Sequence, residues 1–180
     1  IPTGAALGAE IRGVDVSKPL SPSDRDAIRA AWLEHLVLLI RGHQLDDPAL
    51  MAFTRNFGEL ELAPSNENSA KFGGDHIDYP EIAVVSNIVE QGRPIGTLGA
   101  GEAAWHTDSS FIERPPAGSF LHAWGLPPPG GNTHFCNLYL AYETLPESLK
   151  QKIKGKQAIH NFAYTSAGQL RKGFQEVTDV

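Results

Sequence analysis

Apolar positions in the first sixty residues fall into two helical stripes separated by one short unbroken apolar run. Ser21-Pro22-Ser23-Asp24 reads as a helix start, with Ser21 as N-cap and proline at the first helical position. Ile28, Trp32 and Leu36 then recur every fourth residue, with Ala31 and His35 beside them, so one helix face turns inward. Residues 37–40 (VLLI) end at Arg41-Gly42, the pattern of a fully buried strand. Asp47-Pro48 opens a second helix, with Leu50, Phe53 and Phe57 on its stripe and Gly58 placed to end it. Upstream, residues 4–16 alternate small, polar and branched residues, as a short strand or hairpin does.

Past residue 60 the periodicity fades. Residues 63–78 are polar and rich in Gly and Asn, a long loop of the kind that serves as a lid or binding segment. Residues 82–89 (IAVVSNIV) predict a strand from their β-branched content. A glycine-rich loop over 92–103 follows. Residues 119–124 and 133–138 predict two more short strands, on either side of a turn forced by PPPGG at 127–131. Leu138, Ala141, Tyr142, Leu145 and Leu149 form a helical stripe that is interrupted or restarted at Pro146. Trp105 and Trp124 read as core aromatics, and Cys136 as a buried strand residue. Short strands with Gly/Pro turns, and helices gathered toward the N-terminal side, predict an α+β, mainly β architecture: a jelly roll with N-terminal and flanking helices. No repeat or linker divides residues 1–180, so a single domain is expected.

Composition narrows the function classes. A formal charge of −6 and no block of Lys and Arg argue against nucleic acid and against a basic membrane face. The longest apolar run, residues 36–40, is far short of the roughly 20 residues of a membrane helix, and residues 1–20 lack the pattern of a signal peptide. The lone Cys136 fits a reducing compartment, so the cytoplasm is the expected location. The chain opens at Ile1 and stops at Val180 in a polar stretch, which reads as part of a longer domain.

The candidate chemistry lies in residues 105–111 (WHTDSSF). On a strand, His106 and Asp108 point to the same face. An imidazole and a carboxylate so placed can occupy adjacent positions on one metal. With a second histidine they would complete the two-His-one-carboxylate triad of Fe(II) oxygenases, which leaves coordination sites open. A bare His-x-Asp is also common as a surface pair on a strand edge.

Several separated blocks carry a wider resemblance. They are LGAEIRGVDVSKPLS at 7–21, HLVLLIRGHQLD at 35–46, FGELE at 57–61, WHTDSSF at 105–111, PPGGNTHF at 128–135 and AYETLPESLKQKIKG at 141–155. In this order they resemble the taurine/2,4-D dioxygenase (TauD/TfdA) family of iron(II)- and 2-oxoglutarate-dependent oxygenases, over essentially the whole chain. The resemblance implies a double-stranded β-helix of the clavaminate synthase-like type, with the C-terminal part of the domain absent from this chain. It implies Fe(II) held by His106 and Asp108, 2-oxoglutarate bound with help from the Thr133 hydroxyl, and O2 as oxidant. The protein would supply orientation and a dry pocket while a small, anionic substrate is hydroxylated and succinate and CO2 are released. Homo-oligomers are the rule among such relatives.

The third ligand stays open. His160 followed by Arg171 imitates the distal histidine and 2-oxoglutarate arginine of shorter oxygenases. However, AIHNF at 158–162 resembles the family segment whose histidine is not a ligand, which puts the family's own His and Arg beyond Val180. For substrate, the absence of a histidine between Gly58 and His76 counts against taurine. Glu102 stands where the taurine enzyme has a substrate-contacting Asn, and an acid there repels an anion unless paired. WHTDSSF is nearer the aryloxyalkanoate branch, with sulfonates and sulfate esters as the other candidates. The candidate substrate surface is residues 63–78, residues 96–102 with Glu102, and Ser109 to Phe111; Phe111 also reads as core packing. Two other classes fit the residues: a jelly-roll binding or regulatory protein without chemistry, and a cupin-type enzyme that uses the same pair with another metal.

Overall fold

The computed structural model describes residues 1–63, 78–94, 104–126, 130–165, 168–171 and 173–176. The chain divides into two compact units: Ile1–Leu60 with Phe120–Lys156, and Glu61–Ser119 with Gln157–Val180.

The first unit is built on a β-α-β frame. Strand β1 (Ala9–Ile11) pairs in parallel with β2 (Leu38–Ile40), in the register Ala9 to Leu38 and Ile11 to Ile40. Helix α1 (Pro22–His35) forms the crossover between them. Its start is the one the sequence predicts: Ser21 Oγ accepts from the Asp24 amide, and Pro22 sits where its missing N–H costs nothing. It stops at Leu36, whose φ of 67° turns the chain while its N–H still reaches the Trp32 carbonyl at 2.7 Å. Gly8 (φ 100°) brings the entering chain against this end, donating to the His35 carbonyl at 2.8 Å. A β-carbon there would press on the Thr3 side chain at 3.1 Å. Beside this frame Glu10 takes the Arg12 guanidinium at 2.8 Å, with Arg41 at 3.9 Å, and the Arg12 hydrogen bond holds its carboxyl below the ordinary range.

Helix α2 (Asp47–Thr54) is capped by Asp46, one residue earlier than predicted, and ends at Arg55 rather than running on to Gly58. Its inner face closes the core. Val16, Leu45 and Phe53 are buried together, and Val14, Leu20, Ile40, Ala49, Leu50 and Phe57 pack on them. Phe120 joins this cluster edge-on to Phe53, with ring centroids 5.6 Å apart. His122 lies beside it, its Nε2 accepting from the Leu45 amide at 3.4 Å. Farther on, α3 (Leu138–Glu143) and α4 (Glu147–Ile153) divide at Pro146, so the stripe restarts there. Asn137 caps α3 and also donates to the Ala6 carbonyl at 2.7 Å, tying this segment to the N-terminal strand region.

The second unit contributes one hairpin to the described residues. Strands β3 (Val89–Glu90) and β4 (Arg93–Pro94) pair antiparallel around Gln91-Gly92, both at positive φ as a tight hairpin turn requires.

Several expectations are corrected. The described residues show little of the expected jelly-roll sheet: they hold two two-stranded sheets. Of the strand predicted over 82–89, only Val89 is in a ladder, and residues 119–124 and 133–138 form no strand. β-branched content gives a segment a preference for extended backbone, but a strand exists only where a neighbour takes its amides and carbonyls. β2 is not fully buried, because Leu39 is 44% exposed. Trp105 and Trp124, 69% and 73% exposed, are not core aromatics, and Cys136 is exposed. Residues 64–77, 95–103 and 127–129 lie outside the described set, and with them most of the two loops and the proline turn.

Candidate functional site

Within the second unit, residues 104–107 run irregularly into a turn over 108–111. The predicted strand is absent. His106 and Asp108 nevertheless converge, because Ser109 at φ 53° and the Ile112 amide, bonded to the Ser109 carbonyl at 3.2 Å, fold the chain back just past Asp108. His106 Nε2 stands 3.1 Å from Asp108 Oδ1. On the other side of the ring, Nδ1 lies 2.8 Å from the Ala104 carbonyl.

That second contact orients the chemistry. A carbonyl can only accept, so in the neutral imidazole Nδ1 carries the proton and Nε2 presents its lone pair. The lone pair then faces a carboxylate oxygen, and two acceptors so close need a cation between them, either a proton or a metal. Two ligands bonded at about 2.1 Å and at right angles about a metal stand about 3.0 Å apart. The donor set therefore fits two neighbouring positions on one divalent ion. Among the described residues no third His, Cys, Asp or Glu joins the pair, and His160 is not part of it.

The surroundings are wetter than expected: the His106 and Asp108 side chains are 49% and 73% exposed, so the described residues do not enclose them in a dry pocket. A cavity of about 260 Å³ belongs to the first unit, lined by Ile1, Glu10, Arg12, Val14 and Ile28 among others, and it includes no residue of the 104–111 segment.

The remaining candidates separate. Ser109 and Phe111 sit in the turn and are half-buried, and Phe111 packs on Phe162 with centroids 4.8 Å apart. Thr133 is exposed and belongs to the first unit, where Gly130 and Gly131, both at positive φ, turn the chain ahead of it. Glu102 lies outside the described residues. Two features were not legible in advance. Phe111, Phe174 and Arg171 gather against Phe162, although no periodicity marks them. Among the described residues the buried Nδ1 of His122 has no hydrogen-bond partner, and nothing in its sequence surroundings signals that.

Residues 1–179 match the profile of the taurine catabolism dioxygenase TauD, TfdA family, and the chain belongs to that family. It is 36% identical over 181 aligned positions to pentalenolactone F synthase of Streptomyces avermitilis, covering 98% of this chain and 54% of that protein. It is 35% identical to the alpha-ketoglutarate-dependent 2,4-dichlorophenoxyacetate dioxygenase of a Burkholderia species, covering 78% of this chain and 48% of that one. A crystal structure from Burkholderia xenovorans, assigned as an alpha-ketoglutarate-dependent taurine dioxygenase, superposes with a TM-score of 0.60 at 31% identity. It covers 86% of this chain and 52% of its own. The chain thus spans about half the length of the relatives it matches.

Proposed function

We propose that the protein is an Fe(II)- and 2-oxoglutarate-dependent dioxygenase acting on a small anionic organic substrate, of which an aryloxyalkanoate is the favoured type. The observation that carries the proposal is the 3.1 Å approach of His106 Nε2 to Asp108 Oδ1, with His106 Nδ1 engaged by the Ala104 carbonyl. In this reading His106 and Asp108 hold two of the three protein positions on iron. The Ala104 carbonyl keeps the imidazole proton on Nδ1 and so keeps Nε2 free to ligate. Ser109, in the left-handed region, holds the turn that brings the carboxylate to the Nε2 edge of the ring. The Thr133 hydroxyl donates to a carboxylate of 2-oxoglutarate. Bound iron and 2-oxoglutarate supply the oxygen chemistry whose products are hydroxylated substrate, succinate and CO2.

Aryloxyalkanoates are favoured because WHTDSSF and the likeness to the 2,4-dichlorophenoxyacetate enzyme point the same way. Sulfonates and sulfate esters are the other anionic classes to test. The experiment is succinate formation with Fe(II) and 2-oxoglutarate across a panel of aryloxyacids, sulfonates and sulfate esters. Substrate-dependent succinate is expected from the wild type, and only background from His106→Ala and Asp108→Ala. Binding of Fe(II) and 2-oxoglutarate without oxygen should give a visible charge-transfer absorption that both variants lose. A wild type that binds the metal and 2-oxoglutarate without that absorption, and forms no succinate on any member of the panel, would leave only the binding-protein or other-metal readings.

A further inference from the structure

We infer that Arg171, seated on the face of Phe162, the ring on which Phe111 and Phe174 also pack, is the anion-recognising residue of the substrate subsite, selecting a ligand with an aromatic body and a carboxylate head. The inference rests on the oxygenase reading for the word substrate, but its geometry stands on its own. The Arg171 guanidinium lies 4.9 Å from the Phe162 ring centre. Its Nε donates to the Tyr164 carbonyl at 3.2 Å, and its own amide donates to the Ala163 carbonyl at 2.7 Å. The contact with the ring and the Nε bond to the Tyr164 carbonyl hold the side chain, and the amide bond holds its backbone, so a ligand would lose little entropy in ordering it.

Among the described residues the cluster holds no counter-charge. Among the described residues no carboxylate pairs with Arg171 and no bond uses its two terminal nitrogens, although acids outnumber bases in the chain by 21 to 15. A half-buried guanidinium with its planar fork unused matches a carboxylate, which accepts two parallel N–H bonds. The neighbouring rings define the rest of the ligand. Phe111 packs on Phe162 at 4.8 Å and Phe174 meets it edge-on at 5.7 Å, so the ring that carries the cation belongs to a cluster of three phenylalanines. Phe111 closes the turn that begins at Asp108, which joins this cluster to the proposed ligand pair through three residues of one turn in one compact unit. The role differs from that of a 2-oxoglutarate arginine, because an aliphatic dicarboxylate has no ring to set against three phenylalanines.

The test is calorimetric titration of the protein with phenoxyacetate and with phenoxyethanol, which keeps the ring and lacks the charge. Wild type should prefer the acid by about tenfold or more, the worth of one charge-assisted hydrogen-bonded pair. Arg171→Gln should erase the preference while phenoxyethanol binds as before, and Phe162→Leu should weaken both ligands. If Arg171→Gln does not fold by circular dichroism, Arg171→Lys, which keeps the charge without the fork, should lose most of the preference. Equal affinities in wild type, no binding of either ligand, or an undiminished preference in folded Arg171→Gln or Arg171→Lys overturns the inference. Displacement of phenoxyacetate by equimolar 2-oxoglutarate overturns it too. His106→Ala serves as the separator: retained preference without any succinate from wild type condemns the oxygenase reading alone, and normal turnover with an Arg171-independent preference condemns only this one.

Discussion

Asp15 illustrates how local chemistry sets a residue's properties without burial. Lys18 Nζ sits 2.7 Å from its carboxylate, and both the hydroxyl and the amide of Ser17 donate to it. The Lys18 hydrogen bond, followed by those from Ser17, holds the Asp15 carboxyl far below its usual range, and the Lys18 ammonium is raised in return. A carboxyl depressed in the folded state contributes stability above its unfolded pKa of about 3.9, and that contribution drains away as pH falls toward the folded value. Because the group is open to solvent the effect is small. The urea midpoint of wild type should therefore fall more steeply than that of Asp15→Asn between about pH 4 and about pH 2. Parallel profiles would mean that the Lys18 and Ser17 contacts lapse in solution. The same residue-level logic governs the candidate site. The two-residue spacing marked His106 and Asp108 as candidates on a strand that is absent; the turn that brings them together and the Ala104 carbonyl that fixes the tautomer were not legible, since only the backbone path decides where such groups point.

Among the elements, the helices were legible and most of the strands were not. Ser21-Pro22 and Asp46-Asp47-Pro48 start α1 and α2 because a cap satisfies amides within its own first turn, which needs no distant partner. Residues 82–88, 119–124 and 133–137 carry comparable strand preference yet lie outside any ladder, since pairing depends on residues far along the chain. Phe53 shows what such distant contacts are worth. It is 5% exposed and meets Phe57 and Phe120 edge-on at 5.4 and 5.6 Å, so one ring ties α2 to a segment over sixty residues later. Phe53→Ala should cost about 3–5 kcal/mol in urea denaturation, the range for an aromatic removed from a packed core. A cost below about 1 kcal/mol would show that the cluster repacks without it.

At the scale of the molecule, apolar burial is unevenly shared. Ala9, Val16, Ile28, Leu45, Met51 and Phe53 are buried in the first unit, whereas the described residues of the second bury only Ala63 and Ala163. Local opening follows burial, so hydrogen exchange should be slowest in α1 and at Leu38–Ile40, and faster through residues 104–112 and 157–165. Uniform protection across both units would contradict this. No helix among the described residues is long and apolar enough to cross a membrane. The family and the helix starts were legible in the sequence alone, because each is carried by residues close together or by blocks in a fixed order. Only the tertiary structure decided the extent of the sheets, the exposure of Trp105 and Trp124, and the seating of Arg171 on Phe162. Those depend on which surfaces meet, and a contact between distant residues leaves no periodicity in either segment that makes it.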